Sequence, residues 1–409
     1  MKNLYIILLF LLPNLVIGQG WEKTYGDSLW GDQGHSVQQT TDGGYIITGT
    51  NKSFGNGQFD VWLIKTDSQG DTLWTKTFGD SKNQRGHSVQ QTTDGGYIIT
   101  GEFEYNPSWG IWDYDVYLIK TDSQGDTLWT KTFGGSGSER GYSVQQTTDG
   151  GYIIAGVVAD FGIMNTYLIK TDSQGNSSWV KTYSNNESQG WSVQQTIDGG
   201  YIITGDFIVG TSSSVWLMKT DSQGNTLWTK TFGNGSGYSV QQTTDGGYIL
   251  TGSTTSFGNG EKDVYLIKTD SQGNTLWTKT FGGIDKDAGN SVKQTTDGGY
   301  IITGIYEDNN GSNEDVYLIK IDSQGNISWT NELDISSTIN IHPNPTNDLI
   351  TIDIENYNGS FNVEIYDLQG RLLETTKSKT ISLKKYSKGI YIFRVSYGDK
   401  TEEVRVLRD

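Results

Sequence analysis

The chain contains no cysteine, and only 4 prolines, 3 methionines and 3 histidines among its 409 residues. Without cysteine there are no disulfides and no lipidated cysteine anchor, so an exported chain of this kind must be held by burial and repeat packing. No long apolar run occurs beyond the first twenty residues, which excludes a membrane-spanning helix from the mature chain. Basic residues are also scarce, 30 Lys+Arg against 47 Asp+Glu, for a formal charge of −17. Residues 338–409 carry ten acidic and ten basic side chains, so the whole deficit lies in the preceding repeats. Such a surface repels phosphate backbones, and nucleic acid is not expected as a partner.

Present instead are 54 glycines, 12% aromatic residues and frequent Thr, Tyr, Ile and Val. This composition describes many short strands joined by tight turns. The first residues form an address: Lys2 is a positive start, Leu4 to Ile17 is apolar, and cleavage is expected after Gly18. Internal repetition dominates the chain from there to Asn331. Asp-Gly-Gly-Tyr begins at Asp42, Asp94, Asp149, Asp198, Asp245 and Asp297, spaced by 47 to 55 residues. Asp-Ser-Gln-Gly begins at Asp67, Asp122, Asp172, Asp221, Asp270 and Asp322. Two independent markers, each in six copies, predict six units of a propeller.

One unit contains Ser88-Val-Gln-Gln-Thr, an Asp94-Gly-Gly turn, Tyr97-Ile-Ile-Thr-Gly, a variable stretch, Val116-Tyr-Leu-Ile-Lys, an Asp122-Ser-Gln-Gly turn and Thr127-Leu-Trp-Thr-Lys-Thr-Phe. These are four strands of an antiparallel meander, two of the connections being Asp/Gly hairpin turns. A lone meander cannot cover both faces, so successive copies should pack face to face and close radially. The Trp-bearing strand occurs seven times, at Trp21, Trp74, Trp129, Trp179, Trp228, Trp277 and Trp329. The spare copy predicts that Trp21 to Tyr25 completes the last blade and locks the ring, with seven blades, one fragmentary, as the alternative. The periodic tryptophans are expected to be wedges that fill the space between blades.

The segment Leu63-Ile-Lys-Thr-Asp-Ser-Gln-Gly-Asp-Thr-Leu-Trp74, in which Gly precedes Trp by four residues, resembles the tryptophan-docking repeat of quinoprotein-like propellers and, more distantly, the Asp-box turn. That resemblance implies the fold and not redox chemistry.

Copy-to-copy differences locate the expected site. Both turns are nearly invariant, whereas the stretches after Ile-Ile-Thr-Gly and after Lys-Thr-Phe-Gly vary, and in a meander these two connections share one face. The richest variable stretch, Glu102 to Tyr114, offers Tyr105, Trp109, Trp112 and Tyr114 beside Glu102, Glu104 and Asp113, a combination suited to stacking on a sugar or equally to capping the second blade. The residue before each Ser-Val, namely His35, His87, Tyr142, Trp191, Tyr238 and Asn290, should form a ring at the mouth of the axis. Two histidines without fixed carboxylates give no metal site, and no cofactor is expected. The acidic loops Asp285 to Asp287 and Glu307 to Glu314 lack calcium-loop spacing and are expected to be solvated, so Ca²⁺ has no supporting motif. No nucleophile triad or phosphate loop stands out, and no carboxylate pair is nominated for catalysis.

After Asn331 the repeat stops. Pro343-Asn344-Pro345, then Tyr366-Asp-Leu-Gln-Gly370-Arg371, then Lys388-Gly389-Ile-Tyr391 appear in that order over the last 70 or so residues. This series resembles the type A C-terminal sorting domain of the type IX secretion system. The resemblance implies passage across the outer membrane, interaction with the secretion machinery, and removal of the tail with release or surface attachment.

The sequence therefore predicts an all-β protein: a signal peptide (1–18), a propeller of about six four-stranded blades, alternatively seven (19–331), a linker (332–340) and a small Ig-like sandwich for sorting (341–409). The expected function is that of a secreted or cell-surface binding or adhesion module, monomeric, with a glycan or protein ligand. A secreted glycoside hydrolase or lyase is the alternative.

Overall fold

The computed structural model describes residues 23–26, 31–52, 59–108, 111–135, 137–160, 162–183, 187–307, 314–327, 339–354, 359–367, 370–397 and 400–408. Trp21 and Trp329 lie outside this set. Every named element is a β-strand, and the chain divides into two units, Met1–Ser328 and Trp329–Asp409.

The first unit is a succession of antiparallel meanders. The first comprises Gln33–Gln39, Tyr45–Asn51, Asp60–Thr66 and Thr72–Phe78, hydrogen-bonded in that order. The second (Gln84–Gln91, Tyr97–Ser108, Ile111–Thr121, Thr127–Phe133) and the third (Ser138–Gln146, Tyr152–Asp160, Ile163–Thr171, Ser177–Tyr183) repeat the pattern. The fourth and fifth are joined, because one 17-residue strand, Thr226–Gln242, is the outer strand of one and the inner strand of the next. The sixth shows Ala288–Gln294, Tyr300–Glu307 and Glu314–Ile321, with an Ile321–Ile327 bridge beginning a fourth strand.

Burial follows position in the meander. The third strand of an interior meander, Asp263-Val-Tyr-Leu-Ile-Lys-Thr269, is buried at every residue because neighbouring meanders cover both its faces. Apolar residues of consecutive meanders share one core at each junction. Between the first two, Ile46, Val61 and Leu63 pack against Val89, Tyr97, Ile99 and Ile119. The outer strands carry the tryptophans. Trp74 sits edge-on to Tyr97 of the next meander, ring centroids 5.9 Å apart, and Trp129, Trp179, Trp228 and Trp277 meet Tyr152, Tyr201, Tyr248 and Tyr300 in the same way.

The inner strands explain why Ser-Val-Gln-Gln-Thr varies so little. Each leaves an unpaired backbone edge on the axis, which is costly unless its N–H groups find acceptors. Ser36 Oγ accepts from Val89 N at 3.3 Å, and Gln38 Oε1 accepts from Gln91 N at 2.6 Å. The same capping recurs from Gln90 to Gln146, Gln145 to Gln195, Gln194 to Gln242 and Gln241 to Gln294.

The sixth copy departs from this rule. Lys293 stands where the other copies have glutamine, and an ammonium has no acceptor to offer a following edge. The faces that would meet in a directly closed ring are accordingly open. Val37 of the first meander is 65% exposed, whereas Val89, Val144, Val193, Val240 and Val292 are at most 6% exposed; in the sixth meander Val316 and Leu318 are 85% and 66% exposed. The expected closure of the last blade by Trp21 to Tyr25 falls partly outside the described residues; among the described residues the first and sixth meanders do not bury these faces on each other. Of the N-terminal segment, Lys23 pairs with Asp71 and Tyr25 donates to Gly70 O, the same docking that Tyr183 makes on Gly224. That segment therefore docks on the Asp-Ser-Gln-Gly turn of the first meander as the outer strands dock on the turn of the next. Val89→Asp should cost at least about 3 kcal/mol in chemical denaturation, because it buries an unpaired charge, and Val37→Asp less than about 1 kcal/mol. Equal losses would mean that the seam is shut in solution.

The second unit holds a three-stranded sheet (Ile339–His342, Leu349–Ile354, Thr380–Ser382) and a four-stranded one (Leu372–Thr376, Phe361–Tyr366, Gly389–Tyr397, Lys400–Arg408). Ile341, Ile350, Ile352, Val363, Phe393 and Val395 from both sheets form a single core.

Candidate functional site

In each meander the invariant turns lie at one end, and the ring positions lie near the other. Gly34 pairs with Gly49 and Gln39 with Tyr45, which sets His35 at the end away from the Asp-Gly-Gly turn. Six inner strands surround a cavity of about 620 Å³, lined by His35, His87, Tyr142, Trp191, Tyr238 and Asn290 together with the Ser-Val-Gln segments. Four of these residues make a continuous arc. His35 stacks on His87 (centroids 5.4 Å apart), His87 meets Tyr142 (5.1 Å), and Tyr142 meets Trp191 (4.5 Å). Gly86 O lies 2.9 Å from His35 Nδ1. Burial lowers the His35 pKa, Gly86 opposes this, and the neighbouring His87 and Arg85 add to the lowering. Tyr238 OH lies 3.5 Å from Ser253 Oγ.

Behind the arc is a buried carboxylate. Glu102 is 4% exposed and is bonded by Arg85 Nη1 and by Arg140 Nε at 2.8 Å, with His87 Nε2 at 3.7 Å. Burial alone would raise its pKa, but His87, Arg85 and Arg140 outweigh burial and hold it at about 2. Each guanidinium also lies over a ring, Arg85 over Phe59 (4.4 Å) and Arg140 over Tyr114 (4.9 Å). Two blades further round, burial pushes the Asp206 carboxyl up to about 6, against the opposing effects of Trp191, Ser236 and the Gly237 N–H.

The stretch 102–114 is not the exposed loop that the sequence suggested. Strand pairing continues through Asn106–Asp113 to Ser108–Ile111, so the segment is a long hairpin. Tyr114 is 5% exposed beneath Arg140, Glu102 and Glu104 are buried, and Glu104 accepts from Asn83 N and Nδ2. Tyr105 is an exposed ring, at 61%. Trp109 lies outside the described residues, as does the side chain of Trp112. The view that the histidines lack a fixed carboxylate is likewise corrected by Glu102.

Acidic side chains also gather where consecutive meanders meet at this end. Asp287, expected to be solvated, is fully buried, because its carboxylate accepts from Gly283 N (2.7 Å) and Glu307 N (3.1 Å). The Asp263 carboxylate lies beside it, both facing the Cα of Gly282. At the equivalent junction of the second and third meanders, burial pushes Glu139 up to about 7, Gly135 N–H opposes this, and Asp115, Asp113 and Asp160 add to it. Among the described residues no group of three or more His, Asp or Glu is disposed to hold a metal.

In the second unit the motif residues fasten one end of the unit to the other. Asn344 Nδ2 donates to Arg405 O (2.7 Å), and Asn344 Oδ1 accepts from Leu407 N (2.9 Å). Arg371 closes the Gly370 turn on Asp367 (2.7 Å), and Tyr391, 6% exposed, donates to Ser387 O. Pro343 and Pro345 flank Asn344, and Gly389 opens the strand that carries Tyr391.

Sequence reasoning missed Arg85, Arg140 and Asp206 as members of the site. A signal was there, since Arg85 and Arg140 are the only arginines before residue 371.

Residues 340–407 match the family described as the secretion system C-terminal sorting domain. That tail directs export to the cell surface or secretion. No curated protein matches the chain. Among solved structures it is similar to a protein of unknown function from Dyadobacter fermentans, at 12% identity over 70% of this chain and 93% of that one, TM-score 0.46. It is also similar to an α-L-arabinanase of Penicillium chrysogenum, at 12% identity over 70% and 92%, TM-score 0.45. An ulvan lyase is similar at 8% identity over 70% and 78%, TM-score 0.47. These distant likenesses carry nothing about activity. The protein is therefore an all-β, propeller-like repeat domain followed by a type IX sorting tail.

Proposed function

We propose that the protein is an exported binding module whose ligand sits at the mouth of the axial cavity, with a glycan or a protein surface as ligand. The observation that carries this is the arc His35, His87, Tyr142 and Trp191, in which rings from four successive meanders line one opening. A cavity of about 620 Å³ is of the size that holds a small ligand or the end of a chain. Aromatic faces stack on sugar rings, and the rigid meanders position them without further ordering cost. In this reading residues 1–18 are a signal peptide, 19–331 a propeller of six meanders, alternatively with a seventh position at the seam, and 341–409 an Ig-like tail. The tryptophans dock between blades as in quinoprotein-like propellers, and the mature protein acts as a monomer.

The alternative is a glycoside hydrolase or lyase. Asp206, beside Trp191 of the arc and with its carboxyl pushed up to about 6, is a group poised to exchange a proton near neutral pH. Glu102 is unsuited to that role, because three basic groups hold its charge. Binding is tested by titrating the purified full chain against an oligosaccharide panel, with Trp191→Ala as the site variant. At least a tenfold weakening of any ligand bound is expected, and unchanged affinity would move the site elsewhere. Product release that disappears in Asp206→Asn would establish the enzyme.

A further inference from the structure

The repeats are poor in one kind of group, and nearly all of it is in one place. Between residues 19 and 337 there are two arginines, Arg85 and Arg140, and two histidines, His35 and His87. Repetition does not require them. The position held by Arg85 and Arg140 is Gln33, Gln189, Ser236 and Ala288 in the other copies, and the histidine position is elsewhere Tyr, Trp or Asn. All four nevertheless converge on one sector of the cavity mouth. His35 stacks on His87, His87 faces Glu102, and Glu102 joins Arg85 to Arg140.

Neutralising Glu102 does not account for this assembly. The two guanidiniums set against one carboxylate leave a surplus of one positive charge on a domain that is acidic throughout. The two guanidiniums carry ten N–H donors, whereas one carboxylate has about four acceptor sites. Both arginine side chains are 28% exposed, so they reach solvent beside the cavity. Stacking on Phe59 and Tyr114 holds each guanidinium in a fixed plane, and Lys52 Nζ lies 4.8 Å from the Phe59 ring as a further cation on the same rim. A planar, pre-oriented guanidinium recognises carboxylate and sulfate groups through paired hydrogen bonds. Adjacent to it, Tyr142 and Trp191 offer ring faces for the sugar that bears such a group.

We propose that the sector formed by Arg85, Arg140, His87 and Tyr142 binds an acidic glycan, by its uronate carboxylate or its sulfate ester. The inference rests on the binding reading above and names its ligand class. The −17 charge of the chain opposes the approach of a polyanion, so recognition is local to this sector and weakens as salt screens the contact.

The test titrates the full chain with three oligosaccharides of equal length: a neutral one, its uronate-bearing counterpart and a sulfated one. Binding of either acidic form at least tenfold tighter than the neutral form, falling with salt, is expected, and the two acidic arms separate carboxylate from sulfate. A triple variant, Arg85→Gln, Glu102→Gln and Arg140→Gln, removes the cations without stranding Glu102, and glutamine is native at this position in two other copies. It should lose the acidic preference while keeping the parent's melting temperature. If it unfolds, Arg140→Gln alone is read by a reduced salt slope. Equal binding of neutral and acidic forms overturns the charge assignment and leaves the binding reading standing. Retained preference in the variants also overturns it, and no binding in any arm overturns both.

Discussion

Gly125→Ala should destabilise the repeat domain by about 3–5 kcal/mol, whereas Gly95→Ala should cost only about 1 kcal/mol. Both glycines have a left-handed backbone, with φ of +78° and +82°. An alanine at either pays the strain of that conformation. The difference lies in what a Cβ would meet. At Gly95 there is nothing within 4 Å, but at Gly125 the Cβ would lie 2.7 Å from Cζ3 of Trp74 in the preceding meander. The indole would have to leave its place, and with it goes the edge contact to Tyr97. The same approach recurs at Gly175, Gly224 and Gly273 against Trp129, Trp179 and Trp228. Urea denaturation of both variants checks the contrast, and matching losses would show that Trp74 is not fastened by this turn.

Asp94→Ala should lower stability by about 3–5 kcal/mol, although the side chain removed is largely exposed. The cause is its partner. Lys120 is 4% exposed, with its Nζ 2.9 Å from Asp94 Oδ2 and 2.8 Å from Thr121 O, and removal of the carboxylate leaves a buried ammonium without its counter-charge. The pair closes each meander by tying the Asp-Gly-Gly turn to the third strand: Lys65–Asp42, Lys170–Asp149, Lys219–Asp198, Lys268–Asp245 and Lys320–Asp297 repeat it. Adding Lys120→Met to Asp94→Ala should restore much of the loss, because it removes the stranded charge. No recovery would show that the cost comes from the turn itself. Acid should reproduce the single variant. Burial raises Asp149 and Asp245, but the lysine, threonine and glycine bonds prevail and hold both at about 2. A carboxyl depressed below its unfolded value contributes stability that is complete above about pH 4 and lost as pH falls toward 2. Solvent screening at these half-exposed carboxylates moderates the effect.

The repeat unit and the sorting tail were legible because each is written in local chemistry. Asp-Gly-Gly and Asp-Ser-Gln-Gly mark hairpin turns wherever they occur, and the Pro-Asn-Pro, Gly-Arg and Gly-Ile-Tyr series keeps its order. The candidate site was legible only in part. A ring from the residues before Ser-Val follows from repetition, and the structure places those residues around one cavity. The aromatic stretch 102–114 misled, because alternation along an extended hairpin turned Tyr114 and both glutamates inward, and composition does not show which way a strand faces.

By itself the sequence determined the all-β class, the meander, its six copies and the export tail, since turn chemistry and periodicity act within a few residues of chain. Only the tertiary structure decided which faces stay open at the seam, and that Glu102 draws Arg85, Arg140 and His87 together. Those outcomes depend on residues 15 to 38 positions from Glu102, and on the first and last meanders, meeting across packed sheets. No local pattern encodes such a meeting.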